Sequence, residues 1–366
     1  MEADVGIVGG GVVGLSLARE LGERGISATV YEARQQIGEG ADRASGILSK
    51  SGLEKLGLDY GKSVVNELYG AHFHAGGRTF TVRAGETKAY VLDRISLAQS
   101  CARRAIEEGA EIRLGKKLDA AGIRALSAEH RVVVGADGAV SNVASTFGFP
   151  QAARMVLTYK AVYEGVDVAD SGMVGLYFDK AITRGFFGWT APYSGSKLEV
   201  AVGIEDRAKA NSKRAFDAFI ERAAGGEIGG GAARKEDAGL IPLAARARTV
   251  KGSVLLVGDA AGQVKATTGG GIIFGVGCAK VAAGAIAEHL AKGRGLGRYE
   301  VAWRRKYGTD LALHRLLHGY YSSVGQTGLS MAFAFMKSLG AERLLGSFGD
   351  MDSPSRTLKG VVFRRA

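Results

Sequence analysis

Short apolar runs alternate with amphipathic stretches along the chain, which is the pattern of a mixed α/β protein. Residues 4–8 predict a short buried strand, and residues 15–25 behind them predict a helix. A second strand follows at residues 27–32, and the apolar runs at 131–135 and 254–257 predict two more buried strands. Strands without polar alternation are typical of a parallel sheet that is covered on both faces.

Other patterns fill the middle and the end of the chain. Residues 89–112 predict a short approach and an amphipathic helix, and residues 173–205 alternate apolar and polar positions as half-buried antiparallel strands do. Residues 298–323 predict a basic amphipathic helix. The predicted organisation is a discontinuous α/β domain at 1–150 and 249–295, an inserted antiparallel-sheet domain at 151–248 that also takes the strands of 70–90, and a helical C-terminal region at 296–366.

Composition narrows the class of protein. Glycine provides 56 of the 366 residues and proline only 4, so the glycines are expected at specific turns and not in collagen or low-complexity linkers. The two cysteines, Cys101 and Cys278, exclude a disulfide framework and a CxxC pair. The formal net charge of +11 favours anionic partners, but the charge is dispersed and the sequence has no nucleic-acid-binding module.

Two features bear on location. The first residues carry acids at positions 2 and 4 and no basic region, so no signal peptide is expected. No run of about 18 apolar, charge-free residues occurs, so no membrane-spanning helix is expected. The interpretation is a cytoplasmic protein whose helix at 298–323 either packs on the fold or lies on an anionic membrane surface.

A GxGxxG motif joins the first predicted strand to the first helix. Gly9 permits the tight turn, Gly11 lets the backbone approach a pyrophosphate, and Gly14 allows the helix to pack closely on the strand. Glu32 ends the second strand, where an acid that binds ribose hydroxyls belongs, and it disfavours NADP, although Arg34 is nearby. FAD and NAD both satisfy this motif.

A second glycine-rich segment follows the strand at 254–257. Gly258 and Asp259 close that strand, and the Asp259 carboxylate is placed either to bind sugar or ribityl hydroxyls or to cap a turn. The glycines at 269–271 stand at the start of the next predicted helix, where free N–H groups and the helix dipole favour negative charge. The GDAAG pattern resembles the second FAD fingerprint of glutathione-reductase-like flavoproteins.

Two further segments resemble the same flavoproteins. Arg94 is similar to an arginine that flavin monooxygenase-like proteins hold near the FAD phosphates or ribose. Asp137 and Gly138 resemble the DG motif of that superfamily, although Asp137 is equally placed to cap the helix at Ser141. The order of motifs resembles the para-hydroxybenzoate hydroxylase-like FAD fold over essentially the whole chain. That resemblance implies an α/β fold: a Rossmann-like FAD-binding domain of the glutathione reductase type, an inserted antiparallel-sheet substrate domain and a helical C-terminal tail.

Three segments resemble the geranylgeranyl reductase family, in particular archaeal digeranylgeranylglycerophospholipid reductases. They are FFGWTAP at 186–192, GDAAGQVKATTGGGI at 258–272 and GDMDSPS at 349–355. The chain departs from that family at Ala44, where many relatives have a cysteine, and at Lys265, where asparagine is usual. The resemblance implies these cofactor-binding residues: Gly9, Gly11, Val13, Gly14, Glu32, Ala33, Arg34, Ala44, Ser45, Gly46, Arg94, Asp137, Gly138, Gly258, Asp259, Ala260, Gly270, Gly271 and Ile272.

The resemblance further implies FAD-dependent hydrogenation of C=C bonds in geranylgeranyl or other polyprenyl chains, with an external reductant that is a ferredoxin, NAD(P)H or a reduced deazaflavin. Phe187 and Trp189 are expected to line the substrate cavity from one strand face, with Phe186 on the other face. Tyr193 is a candidate proton donor. An NAD(P)H-dependent monooxygenase acting on an aromatic or polyketide substrate, and a non-catalytic flavin electron relay, remain alternatives. His314 and His318 are spaced as a metal pair but lack a third ligand, so no metal is predicted.

Overall fold

The computed structural model of the chain describes residues 3–152, 154–205 and 210–362. These residues form three β-sheets and the helices that pack against them. The strands are β1 Val5–Val8, β2 Ala28–Tyr31, β3 Ile47–Ser49, β4 Val64–Leu68, β5 Gly70–Ala75, β6 Arg78–Arg83, β7 Ala89–Leu92, β8 Glu111–Arg113, β9 Val132–Gly135, β10 Met155–Glu164, β11 Met173–Tyr177, β12 Gly188–Ser194, β13 Lys197–Glu205, β14 Ala232–Pro242, β15 Val250–Lys251 and β16 Val254–Leu256.

Helices cover the sheets and form the C-terminal region. They are α1 Val12–Gly22, α2 Lys50–Leu56, α3 Arg94–Glu107, α4 Ala120–Glu129, α5 Asn142–Thr146, α6 Ser212–Phe219, α7 Gly225–Ile228, α8 Ile272–Lys292, α9 Gly297–Ser323, α10 Gln326–Ser338, α11 Ala341–Phe348 and α12 Pro354–Val362.

The first sheet has six strands in the order β15-β16-β9-β1-β2-β8. The pairs β16–β9, β9–β1, β1–β2 and β2–β8 are parallel, and every residue of β1, β2 and β9 is buried. One face packs on α1, α3 and α8, and the other packs on α4 and α5. Because both faces are covered, these strands are apolar throughout, which explains the uninterrupted runs in the sequence.

The second sheet has seven strands in the order β14-β10-β13-β12-β11-β5-β6. Its pairs are antiparallel except β11 with β5, which is parallel. Phe216 and Phe219 of α6 pack on one face, and an aromatic cluster lies on the other. Strands β5 and β6 join this sheet from the N-terminal part of the chain, whereas β7 lies in a small third sheet between β3 and β4.

The C-terminal helices pack onto both larger sheets. Tyr299 and Trp303 of α9 are buried in the core of the first sheet, and the Trp303 indole N–H donates to the Thr249 hydroxyl at 3.0 Å. Helices α10 and α11 lie against β6, and α12 lies against α9. The architecture is therefore the predicted one: a parallel α/β unit, an inserted antiparallel sheet and a helical C-terminal region.

Helix α8 stands apart because of its length and composition. Among the described residues it is the one helix long and apolar enough to cross a membrane, and 56% of its most apolar window is buried inside the protein. Its buried residues, such as Val276, Cys278 and Ile286, pack against α1 and the first sheet. The helix therefore serves as a core element of the first sheet, and its hydrophobicity is explained by that packing.

Candidate functional site

The β1–α1 turn forms the predicted glycine loop. Gly9 has φ of +110°, and a Cβ there would lie 2.4 Å from the Ala136 carbonyl oxygen, while a Cβ on Gly14 would lie 2.1 Å from the Gly9 carbonyl oxygen. These two glycines are thus required by the packing of the protein itself. Gly11, the N-cap of α1, is different, because a Cβ there would meet no atom of the described residues within 4 Å. Its outer side faces open space at the N-terminus of a helix, where backbone N–H groups attract an anion.

Glu32 connects the end of β2 to this loop. Its carboxylate accepts hydrogen bonds from the Gly10 N–H at 2.7 Å and from the Arg34 N–H at 2.8 Å. The Arg34 guanidinium turns toward the surface and pairs with Glu39 at 3.2 Å. Ala33 lies between Glu32 and Arg34 in the chain segment after β2. The predicted acid is therefore fixed beside the glycine loop, and the nearby arginine is paired elsewhere.

The two glycine-rich segments of the sequence meet in space. Gly258 has φ of +63°, and a Cβ on it would lie 3.1 Å from the Val13 side chain, so Val13 packs directly against the second segment. Ala260 is buried in the short turn that follows, and Ile272 begins α8. A Cβ on Gly271 would lie 2.4 Å from the Asp259 carboxylate. Both helix starts, of α1 and α8, therefore border one region at the carboxyl ends of β1 and β16, where ligands bind in open α/β sheets.

Asp259 and Arg94 bring opposite charges to this region. Burial raises the pKa of Asp259, and the Arg94 cation opposes that shift. Burial lowers the pKa of Arg94, and the carboxylates of Asp259, Glu199 and Asp42 oppose it. The Arg94 guanidinium donates to the Ser45 carbonyl at 3.2 Å, yet its Nε is buried and has no hydrogen-bond partner in the described residues. A buried unpaired donor of this kind indicates a group that binds there.

Residues 44–46 run between Arg94 and the second sheet. A Cβ on Gly46 would lie 2.1 Å from the Leu92 carbonyl oxygen, and the Leu92 N–H donates to the Gly46 carbonyl at 2.9 Å, so this segment lies directly on β7. On its other side, the Ala44 carbonyl accepts a hydrogen bond from the Lys160 ammonium at 3.4 Å. The segment therefore connects the α/β unit to the antiparallel sheet.

The DG segment has a structural role that the sequence left open. Asp137 accepts from the Ser141 hydroxyl at 2.6 Å and from the Val143 N–H at 3.0 Å, so its carboxylate caps the start of α5. Gly138 has φ of +82°, and a Cβ there would lie more than 4 Å from every atom in the part of the chain that the structure describes. The helix-cap alternative is what the geometry supports for the Asp137 side chain, and the segment faces the open region only with its backbone.

Sequence reasoning missed the clamp that holds the loop at 265–271. The Lys265 ammonium forms a buried ion pair with Asp352 at 2.5 Å, and Asp352 also accepts from the Ser49 hydroxyl. His314 contacts the Thr267 hydroxyl at 2.7 Å and the Asp352 carbonyl at 3.2 Å. The GDMDSPS segment is therefore part of the site. Its resemblance to a family motif pointed to the segment, and the Lys265–Asp352 ion pair gives the physical reason. Gly270 belongs to the same loop: its carbonyl accepts from the Lys265 N–H at 3.1 Å, and a Cβ on it would lie 2.8 Å from the Lys265 side chain.

Three aromatic residues form the apolar side of the site. Phe186 and Phe187 precede β12, and their rings stack at a centroid distance of 4.3 Å, while the Trp189 ring lies 5.8 Å from Phe187. All three belong to one buried cluster. The expectation that Phe186 lies on the opposite face is wrong, because the residue stands in a turn where strand alternation does not apply. Tyr193 is half-buried at the edge of this cluster, and burial raises the pKa of its hydroxyl.

A buried ion pair, also missed from the sequence, adjoins the aromatic cluster. The Lys160 ammonium lies 2.8 Å from the Glu199 carboxylate, and the side chains are only 10% and 2% exposed. The other Glu199 oxygen accepts from the Trp189 indole N–H at 3.0 Å. Burial raises the pKa of Glu199, but the Lys160 cation and these hydrogen bonds lower it by more than burial raises it. The net pKa lies below its ordinary value, so the carboxylate is ionised. The available signal was a glutamate inside β13, a strand whose other residues are almost all buried.

The paired histidines of α9 have separate partners. His314 belongs to the clamp on the 265–271 loop, and His318 contacts the Gly185 carbonyl at 2.8 Å beside the aromatic cluster. Across the described ranges, no group of three or more His, Cys, Asp or Glu side chains is placed to hold a metal ion. Each histidine thus anchors α9 to a different part of the site.

Comparisons with known proteins agree with this geometry. Residues 4–73 match the family described as FAD dependent oxidoreductase. The chain is 30% identical to digeranylgeranylglycerophospholipid reductase 2 of Methanothermobacter thermautotrophicus, covering 99% of this chain and 100% of the relative. It is 28% identical to digeranylgeranylglycerophospholipid reductase of Methanocaldococcus jannaschii, covering 85% and 84% of the two chains. FAD is therefore the cofactor for which the site is built.

The fold is also shared with solved structures. A geranylgeranyl bacteriochlorophyll reductase-like protein of Thermoplasma acidophilum superimposes with a TM-score of 0.84, over 99% of this chain and 96% of the other, at 19% sequence identity. At that identity the likeness establishes the fold, and it agrees with the architecture predicted from the motif order.

Proposed function

The chain belongs to the digeranylgeranylglycerophospholipid reductase family of FAD-dependent oxidoreductases, and we propose that it hydrogenates the C=C bonds of geranylgeranyl chains in a phospholipid. The observation that carries this substrate class is the buried cluster of Phe186, Phe187 and Trp189 next to the segment 44–46. A polyprenyl chain offers apolar area and no hydrogen bonds, so it is held by such a surface and not by polar groups.

The residues present fit FAD at three points. Gly11 leaves open space at the N-terminus of α1 for a pyrophosphate, and Glu32 is fixed beside the same loop for ribose hydroxyls. Arg94 keeps a buried unpaired Nε opposite Asp259. We assign the diphosphate and ribose of FAD to Gly11 and Glu32. We assign its ribityl chain and flavin ring to Asp259 and the loop at 265–271.

When bound and reduced, FAD would supply the hydride that one carbon of the alkene needs. The protein must then position the chain, exclude water and provide a proton for the neighbouring carbon, because an unactivated C=C bond has no polar handle. Phe187 and Trp189 are the side chains that we expect to hold the chain, and the buried cluster behind them excludes water. An external reductant must restore the cofactor, and a ferredoxin, NAD(P)H and a reduced deazaflavin are the candidates.

A lipid substrate also requires contact with a membrane, and the C-terminal region offers a surface for it. Of the twelve large hydrophobic side chains that are exposed in the described residues, nine lie beyond residue 296. These nine are Val301, Leu316, Leu317, Tyr320, Met331, Phe335, Leu339, Leu344 and Leu358. We propose that α9 and α10 rest on an anionic lipid surface, since apolar helix faces together with a formal net charge of +11 favour such contact.

The outer face of α10 provides the test of this contact. Met331 and Phe335 of α10 and Leu339, the C-cap residue that follows it, are spaced four residues apart, so they form one stripe. Leu329 and Phe333 are instead buried against the second sheet. We expect the wild-type protein to sediment with vesicles that contain anionic phospholipid, and a triple variant with M331S, F335S and L339S to stay in solution with FAD bound. Equal sedimentation of the two proteins would reject α10 as the contact.

The experiment that tests the proposed reaction uses chemically reduced holoenzyme, which bypasses the unknown reductant. The protein is incubated without oxygen with a phospholipid carrying geranylgeranyl chains, and the lipid is analysed by mass spectrometry. We expect gains of two hydrogens per bond. Without oxygen, neither a monooxygenase nor an electron relay would change the lipid, so an unchanged lipid mass would reject the proposal. A parallel incubation with oxygen separates those two alternatives, because only a monooxygenase would yield a hydroxylated product.

A further inference from the structure

The hydrogenation proposed above needs a proton, and we propose that the Lys160 ammonium donates it. This inference rests on the proposed function. It starts from the register of the second sheet, in which Ala201 of β13 pairs with Lys160 on one side and with Trp189 on the other. Directly paired residues point to the same face of a sheet, as do residues two apart in one strand. Lys160, Trp189 and Glu199 therefore share one face.

That face is turned toward the cofactor site. The Lys160 ammonium reaches the Ala44 carbonyl at 3.4 Å, and the next residue, Ser45, accepts from Arg94 through its carbonyl. Lys160 and Arg94 therefore bind adjacent carbonyls of one segment, and Arg94 is the residue whose buried Nε has no partner in the described residues. Its Glu199 partner also holds the Trp189 indole at 3.0 Å. The ammonium therefore lies between the expected cofactor residues and the expected substrate residues.

The hydrogen bonds of Lys160 leave one proton over. An ammonium has three N–H donors, and the described residues provide two acceptors, the Glu199 carboxylate at 2.8 Å and the Ala44 carbonyl at 3.4 Å. The neutral amine left after donation keeps two N–H groups, which match those same two acceptors. Loss of the third proton therefore breaks no hydrogen bond in the protein.

The charges around the pair make this loss tolerable. Once Lys160 is neutral, Glu199 remains an anion, but the Arg94 cation interacts with it as well. A buried ion pair adds little to stability compared with apolar residues of similar size, because desolvation offsets the attraction. The pair lies beside the Trp189 indole, and Asp237 of β14 pairs with Lys160 on the other side, so the ammonium stands where acidic side chains meet the aromatic cluster. Such a placement is explained by a chemical role better than by a packing role.

The reaction balances as follows. The hydride of the reduced flavin, with its electron pair, forms a C–H bond to one alkene carbon while the π bond breaks. The π electrons form a second C–H bond with the Lys160 proton on the neighbouring carbon. The products are the saturated bond, oxidised FAD and a neutral Lys160 amine, which takes up a proton from solvent before the next turnover.

The test compares Lys160→Arg with Lys160→Ala in the holoenzyme. Arginine preserves the charge and the pairing with Glu199 but does not release a proton in proteins. We expect turnover of the geranylgeranyl phospholipid to fall at least about 100-fold in both variants, in the range that general acids contribute. Small alkylamines added to Lys160→Ala should restore part of the turnover. The dissociation constants for FAD and for the lipid should stay within about twofold of wild type.

Lys213→Arg is the matched control, because Lys213 lies in the same part of the chain and forms an exposed pair with Asp217 at 2.6 Å. It should behave as wild type. Turnover above a tenth of wild type in Lys160→Arg would overturn the inference, as would loss of turnover accompanied by loss of FAD or lipid binding, or failure of amines to restore Lys160→Ala. A wild-type protein that leaves the lipid unchanged would instead reject the proposed function itself.

Discussion

Replacing Asp352 by asparagine tests whether the C-terminal segment is part of the cofactor site. The carboxylate of Asp352 pairs with Lys265 at 2.5 Å, with side chains only 9% and 4% exposed. The substitution leaves the Lys265 cation buried without its counter-charge, and breaking a buried pair in this way costs about 3–5 kcal/mol. Because the asparagine can still accept from Ser49, we expect a loss near the lower figure, about 3 kcal/mol.

The assay is chemical denaturation of the holoenzyme, followed by flavin fluorescence for release of FAD and by circular dichroism for loss of helices. Two probes are needed, because a chain with several units does not have to unfold in one step. The double variant with K265N and D352N removes both charges and should recover most of the lost stability. A single Asp352→Asn variant within about 0.5 kcal/mol of wild type would show that the buried Lys265 cation does not depend on Asp352.

The same pair predicts a pH dependence. Burial raises the pKa of Asp352, but the Lys265 cation and the Ser49 hydroxyl lower it by more than burial raises it. The net pKa therefore lies below its ordinary value of 3.8. A lowered carboxyl pKa gives stability that is fully present above that ordinary value and is lost as pH falls through the folded-state pKa. The difference in stability between wild type and Asp352→Asn should therefore be constant near neutral pH and shrink below about pH 4.

Further predictions concern the glycine loop and His314. Gly14→Ala should prevent normal folding, since its Cβ would lie 2.1 Å from the Gly9 carbonyl oxygen. Gly11→Ala should instead fold with wild-type stability but bind FAD at least about tenfold more weakly, as measured by equilibrium dialysis. Burial, with the Lys265 cation, lowers the pKa of His314 to about 4. The stability that depends on neutral His314 is therefore fully present above pH 6.5, the ordinary pKa of histidine. About 3 kcal/mol of the free energy of unfolding should be lost as pH falls from 6.5 to 4. His314→Gln should flatten that part of the stability profile, and an unchanged profile would reject the assignment.

The sequence predicted the parallel part of the fold well because its signals are local. A strand, a GxGxxG turn and a helix follow one another within twenty residues, and Gly9 and Gly14 prove to be fixed by contacts inside that unit. The same holds for Gly258 and Asp259, which end a buried strand. Such local signals are sufficient because each residue type answers a constraint from its own turn.

The parts that were missed depend on contacts between distant segments. Asp352 meets Lys265, Ser49 and His314 only once α9 to α12 have packed, and no periodicity in the chain encodes that meeting. Lys160 and Glu199 are 39 residues apart and pair across two strands whose register the sequence does not state. The prediction of which sheet face Phe186 lies on was wrong because a turn, and not a strand, precedes β12. Side-chain alternation predicts faces only inside a regular strand.

Hydrogenation by this protein requires that electrons pass from its reduced flavin to a C=C bond of a geranylgeranyl chain. The most direct measurement is a single turnover without oxygen, in which flavin oxidation is followed by its visible absorbance and the lipid is weighed by mass spectrometry from the same sample. We expect one double bond to be reduced, with a gain of two hydrogens, for each flavin oxidised. A flavin that stays reduced in the presence of the lipid, or that is oxidised while the lipid mass stays unchanged, would contradict it.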